Sequence, residues 1–168
     1  MNNTNVHSQS SRVNASELMK TALVAALYVV VTVVLAGFGA MPIRLSEVFN
    51  YLALYHKRYV AAVTLGVVFA NFLSPTWVLD VPIGGTATLL VLLLCRAVTK
   101  HIKSDKLKLA VTAIIFSLSM FTVAGQFAIL LNMPFFETWL VTGLGELASM
   151  TVGGIIIYFI SKRIDLTK

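Results

Sequence analysis

Six side chains in an otherwise apolar sequence have the types needed to recognise a small, flat, hydrogen-bonding molecule: Arg44, Glu47, Asn71, Asp80, Gln126 and Glu146. A carboxylate accepts paired N–H donors, a guanidinium offers the reverse, and the carboxamides do both. Arg44 and Glu47 belong to the stretch Met41–Asn50, MPIRLSEVFN, and stand three residues apart, so a helix puts them on one face. Tyr51 comes one α-helical turn after Glu47 and adds an aromatic ring able to stack on a flat ligand. Ionisable groups in an apolar setting are costly and mark function by default. The plainer alternative is an Arg44–Glu47 pair that anchors a helix end.

Other chemistries lack their residues. Cys95 is the single cysteine, which excludes an internal disulfide or a cysteine-cluster metal site. His7, His56 and His101 fall in polar tail or loop positions, so no histidine metal site is visible. The chain has no G-x-x-x-x-G-K-[ST] loop, no H-E-x-x-H and no G-x-S-x-G. It is therefore expected to bind rather than catalyse, to carry no metal or cofactor, and to leave any ATP hydrolysis to other subunits.

The elements that must position these groups are membrane helices. Hydrophobic residues make up 58% of the 168 and charged residues 12%, with a mean hydropathy of +0.86, against about 25% charged in globular chains. Residues 1–15 are polar, rich in Asn and Ser, and are expected to be a disordered tail. Residues 16–168 then form one membrane domain of six helices. The first, capped by Asn14 or Ser16, runs from about Glu17 to Ala40 and clears a core of about 30 Å. A short second helix ends near Tyr55, and a third covers about Tyr59–Leu73. The link SPTWVLDVPIGG reads as irregular, with Trp77 a headgroup anchor. The remaining helices cover about Thr86–Val98, Leu107–Leu131 and Phe135–Ser161.

Six helices place both termini on one side, and loop charge says which. Arg12, Lys20, Lys57, Arg58, Arg96, Lys100, Lys103, Lys106, Lys108, Lys162, Arg163 and Lys168 fall on the terminal side, twelve of the thirteen Lys and Arg. Arg44 alone falls opposite. By the positive-inside rule both termini are expected to be cytoplasmic, so the net charge of +6 reflects topology and not a nucleic-acid surface.

This topology assigns depth. Arg44 and Glu47 start the second helix on the outer side, Asn71 lies one turn inside the third, and Asp80 sits in the outer link. Gln126 lies below the outer end of the fifth helix, and Glu137 starts the sixth. Glu146 lies on the order of 15 Å deep. Strong polar groups thus gather in the outer half, whereas a pore or proton wire needs them through the full depth. The pattern is a bowl open outward and closed toward the cytoplasm. Each member has a plainer reading: a helix-to-helix bond for Asn71 or Gln126, a cap for Asp80, an interfacial carboxylate for Glu137. For Glu146 the alternative is a buried bridge to Arg44. Trp77, Phe135, Phe136 and Trp139 fit an interfacial belt. On the first helix Ala22 and Ala26 are four apart with Ala25 beside them, a small-residue face that lets another helix approach, either a partner's or one of the bundle.

Two phrases, MPIRLSEVFNYLALY and VTLGVVFANFLSPTWVLDVPIGGTATLL, resemble the QueT family of queuosine-precursor transporters, S components of energy-coupling factor (ECF) importers. The shared pattern is Arg44-Leu45-Ser46-Glu47, then Ala70-Asn71-Phe72, Leu79-Asp80, and Gly85 to Leu89. Phe72 stands where leucine is usual. The resemblance implies a six-helix substrate-capture subunit of a bacterial plasma membrane, docking on a transmembrane coupling subunit with two ATPases. It implies that Ala22 and Ala26 contact that subunit and that Arg44 to Glu47 lie in or beside a lid. The implied ligand is a 7-deazaguanine, preQ1 or queuine. Its ring donors suit a carboxylate, its acceptors suit Arg, Asn or Gln, and its amine wants a second carboxylate. A different vitamin or purine-like substrate is the alternative within that class. A membrane assembly protein would explain the alanines but not the polar cluster.

Overall fold

The computed structural model describes residues 15–36 and 44–167, and every regular element among them is helical. The elements are α1 (Ala15–Ala36), a 3₁₀ helix (Leu45–Tyr51), α2 (Leu52–Tyr55), α3 (Arg58–Asn71), α4 (Trp77–Thr99), α5 (Asp105–Ser119), α6 (Phe121–Leu131) and α7 (Phe135–Ser161). Four stretches are long and apolar enough to cross a membrane: Ala15–Val34, Trp77–Thr99, Asp105–Leu131 and Phe135–Ser161. Helix α3, with 14 residues, is shorter. Their outward faces carry Leu23, Val30, Leu90, Ile114, Leu144 and Phe159, all exposed, which suits hydrocarbon and not water. The polar tail expected over residues 1–14, the Asn14 cap, the first helix beyond Ala36 and the segment Met41–Ile43 lie outside the described residues.

The chain alternates between two ends. Helix α1 begins, α3 begins, α4 stops, α5 begins and α7 stops at one of them, here the terminal end. Lys20, Lys57, Arg58, Arg96, Lys100, Lys103, Lys106, Lys108, Lys162 and Arg163 cluster toward it by their positions on these helices. Arg58 is buried there and pairs with Glu17, and the Arg96 guanidinium donates to the Ala53 carbonyl. The α3–α4 and α6–α7 turns occupy the opposite end. At the latter, Asn132 adopts the left-handed conformation (φ 52°) that ends α6, and Pro134 precedes the first turn of α7.

Two predicted elements are corrected. The link expected to be irregular is the start of α4, which begins at Trp77 and includes Pro82. Proline near a helix start forfeits one backbone hydrogen bond, a loss confined here to the Val78 carbonyl, so the helix continues through it. The single helix expected from Leu107 to Leu131 is divided at Met120 into α5 and α6. Hydroxyls at this junction bond main-chain carbonyls: Ser119 Oγ donates to Phe116 at 2.7 Å and Thr122 Oγ1 to Ser119 at 3.0 Å. Such back-bonding bends helices.

The packed core lies nearer the terminal end. Tyr51, Val63, Leu92, Cys95 and Met150 are all but fully buried. They join Val60, Leu109, Ala113, Phe116 and Ile157 in one cluster. Above that cluster the helices separate.

Candidate functional site

The separation encloses a cavity of about 700 Å³, within the range of small-molecule sites, about 300–1,000 Å³. Its upper wall, near the α3–α4 turn, is built around Asp80 in the first turn of α4. Thr76 Oγ1 donates to Asp80 Oδ2 at 2.6 Å, Ser74 Oγ donates to the same oxygen, and Gln126 Nε2 donates to Oδ1. Asn71 Nδ2 donates to the Asp80 main-chain carbonyl at 2.8 Å. Gly84 makes that possible, since a Cβ there would collide with the Asn71 carboxamide. Asp80 therefore ties α3, α4 and α6 together at the mouth.

The floor is built by the 3₁₀ helix against α7. The Arg44 amide donates to Ser149 Oγ at 2.9 Å, and Ser149 lies about 21 Å along α7 from its first residue at about 1.5 Å per residue. Arg44 and Glu47 thus sit at the start of the 3₁₀ helix, beside the middle of α7. The cause is close packing. Gly153 of α7 has no side chain where a Cβ would come within 3.0 Å of the Val48 Cα. Just beyond it the Tyr51 hydroxyl donates to the Met150 carbonyl at 2.8 Å.

Helix type then decides which residues face the cavity. A 3₁₀ helix has three residues per turn, so positions three apart eclipse. Arg44, Glu47 and Asn50 line the cavity together. Tyr51, expected on the Glu47 face from α-helical spacing, is only 1% exposed and points into the core. It is removed from the candidate ligand contacts and becomes a strut beneath them. Asn50 takes its place.

Glu47 and Glu146 are both buried on this floor, close enough for their carboxyl groups to interact directly. Asn50 Nδ2 donates to Glu47 Oε2. Arg44 attracts both carboxylates, yet the ion pairs of the described residues are Arg58–Glu17 and Lys108–Asp105. The bridge from Arg44 to Glu146 is not formed. On this floor two buried acceptors have no hydrogen-bond partner among the described residues: Asn50 Oδ1 and Glu146 Oε1. Leaving a buried acceptor unmet costs about 1–3 kcal/mol.

The cavity thus brings together Arg44, Glu47, Asn71, Asp80, Gln126 and Glu146. Sequence reasoning missed Asn50 and Tyr28, as well as the hydroxyls of Ser46, Ser119 and Thr122 on the same lining. Asn50 was legible only by counting in threes from Arg44. The belt aromatics Trp77, Phe135, Phe136 and Trp139 are all absent from the lining, to which two other rings, Phe116 and Phe127, belong. Glu137 is exposed in the first turn of α7. No group of His, Cys, Asp and Glu among the described residues could hold a metal. On α1, Ala22 and Ala26 are exposed, but Ala25 is buried against the bundle. Ala25 lies about 100° round the helix from Ala26, so it is withdrawn from the outward alanine face.

The sequence is similar to proteins that move a small molecule across a membrane. The family described as "QueT transporter" matches residues 18–162. "Queuosine precursor transporter QueT" of Lactococcus lactis subsp. cremoris (strain MG1363) is 39% identical over 163 residues, covering 90% of this chain and 96% of that protein. No solved structure matches the chain. With a family match over most of its length and four membrane-length helical stretches around one polar-lined cavity, this chain belongs to the QueT transporter family and is a multi-pass protein of the cell membrane.

Proposed function

We propose that this chain is the substrate-capture subunit of an energy-coupling factor importer, and that its cavity binds a queuosine precursor of the 7-deazaguanine type. One observation carries the binding reading: a cavity of small-molecule size ends on two buried acceptors, Asn50 Oδ1 and Glu146 Oε1, that no other described residue satisfies. The name of the L. lactis relative supplies the ligand class. A deazaguanine offers N–H donors for these acceptors, a flat ring for Tyr28, Phe116 and Phe127, and acceptors for Arg44 and Gln126.

The proposed orientation has six membrane helices and both termini in the cytoplasm, and the cluster of Lys and Arg at the terminal end supports it. The cavity then opens outward, above the packed core on its cytoplasmic side. Docking on a transmembrane coupling subunit with two ATPases rests on the family resemblance and on the outward faces of Ala22 and Ala26, small residues that permit close helix contact. Purified protein tests the reading. It is expected to bind preQ1 or queuine with a Kd tighter than about 100 μM and to co-purify with a coupling subunit and two ATPases. Weaker binding to both compounds removes the ligand assignment, and a different purine or vitamin would then be sought in the same cavity.

A further inference from the structure

We propose that Glu47, Asn50 and Glu146 form a subsite for an ammonium group carried by the ligand, so that the cavity floor reads the charged 7-substituent and not the guanine-like edge. The inference rests on the deazaguanine reading of the cavity and deepens it.

The floor is richer in acceptors than in donors: Asn50 Oδ1 and Glu146 Oε1 lack partners among the described residues, and the Arg44 guanidinium is its one charged donor. Asn50 is oriented by the carboxylate next to it: Nδ2 faces Glu47 Oε2, which leaves Oδ1 turned away and unpartnered. Glu146 is 5% exposed and its Oε1 is unpartnered. The Glu47 carboxyl adjoins that of Glu146. A lactam edge of the guanine type presents two donors and then a carbonyl acceptor, for which Arg44 is the one charged donor on this floor. An ammonium presents three donors and no acceptor. Charge leads the same way, for two adjacent carboxylates face one guanidinium, Arg44, which closes an ion pair with neither. A ligand cation placed between them would balance both acidic groups and fill both orphan acceptors at once. The ring then lies higher in the cavity, between Phe116 and Phe127, with its carbonyl toward the Gln126 carboxamide. An aminomethyl group and a longer secondary amine share this chemistry, so one subsite serves either precursor.

The test compares 7-aminomethyl-7-deazaguanine with its uncharged 7-cyano analogue by equilibrium binding to the purified wild-type protein. The amine is expected to bind at least about tenfold more tightly. In Glu146→Gln the amine-to-nitrile ratio is expected to fall to within about twofold, because one charge of the pair is gone. Glu47→Gln is expected to lower the ratio in the same direction. Equal affinity of the wild type for both compounds overturns the subsite while leaving the deazaguanine reading intact, and is the result expected if Glu47 and Glu146 merely share a proton. A Glu146→Gln protein that weakens both ligands by one common factor also overturns it, since the carboxylate would then hold the common ring. Failure of the wild type to bind either compound overturns the deazaguanine reading itself.

Discussion

The Tyr51 hydroxyl donates to the main-chain carbonyl of Met150 at 2.8 Å, and this contact sets the height of the cavity floor. It holds the end of the 3₁₀ helix against α7 one turn below Glu146, while the Arg44 amide holds the other end on Ser149. Glu47, between the two anchors, is held beside Glu146.

Tyr51→Phe should therefore act at a distance. Loss of one hydrogen bond is expected to cost about 0.5–1.5 kcal/mol of stability, with ligand affinity falling because the floor loosens. Tyr51→Ala, which empties a fully buried position, should cost about 3–5 kcal/mol. Thermal unfolding in detergent alongside ligand titration separates the two effects. A Tyr51→Phe protein of full stability but without binding would return the phenol to the ligand site.

Gly153→Leu should damage the site without touching it. Its side chain would displace the Val48 backbone, which lies within 3.0 Å of an added Cβ. Binding is expected to be lost together with a drop in unfolding temperature. Gly125→Ala, whose nearest neighbour is a Phe135 ring carbon at 4.0 Å, is the contrasting change and should leave both nearly unchanged.

Asp80→Ala should strip Ser74, Thr76 and Gln126 of their common acceptor. About 1–3 kcal/mol of stability is expected to go with it. Because these partners satisfy Asp80 within the chain, its removal should weaken the ligand less than Glu146→Ala does. Titration of both variants with one ligand gives the order directly.

The polar cluster was legible in the sequence because charge is rare in it: Asn71, Asp80, Gln126 and Glu146 announce themselves among apolar neighbours, and their chain positions bring them to one cavity. The 3₁₀ helix was not. Counting in fours joined Tyr51 to Glu47, whereas three residues per turn joins Asn50. Nothing local in LSEVFNY announces the tighter helix, and the glycine that lets it pack against α7, Gly153, lies a hundred residues on. Its place beside the middle of α7 was hidden for the same reason, since its tertiary anchors, Ser149 and Met150, are as distant in the chain. Pro82 and the adjacent glycines likewise suggested an irregular link, yet they lie inside α4, where Gly84 admits the Asn71 side chain.

Ala22→Trp combined with Ala26→Trp should leave binding intact and abolish uptake in cells, since both side chains project from the bundle. Ala25→Trp should instead destabilise the protein, because that position is buried. Uptake unaffected by the double change would exclude this face as the docking surface.

The most direct measurement is an experimental structure of the protein with a bound 7-deazaguanine. The ligand is predicted to lie in the cavity with a nitrogen within hydrogen-bonding distance of Glu146 Oε1 and its ring between there and Gln126. A ligand seated elsewhere on the protein, with Glu146 Oε1 and Asn50 Oδ1 still unmet, would contradict the account.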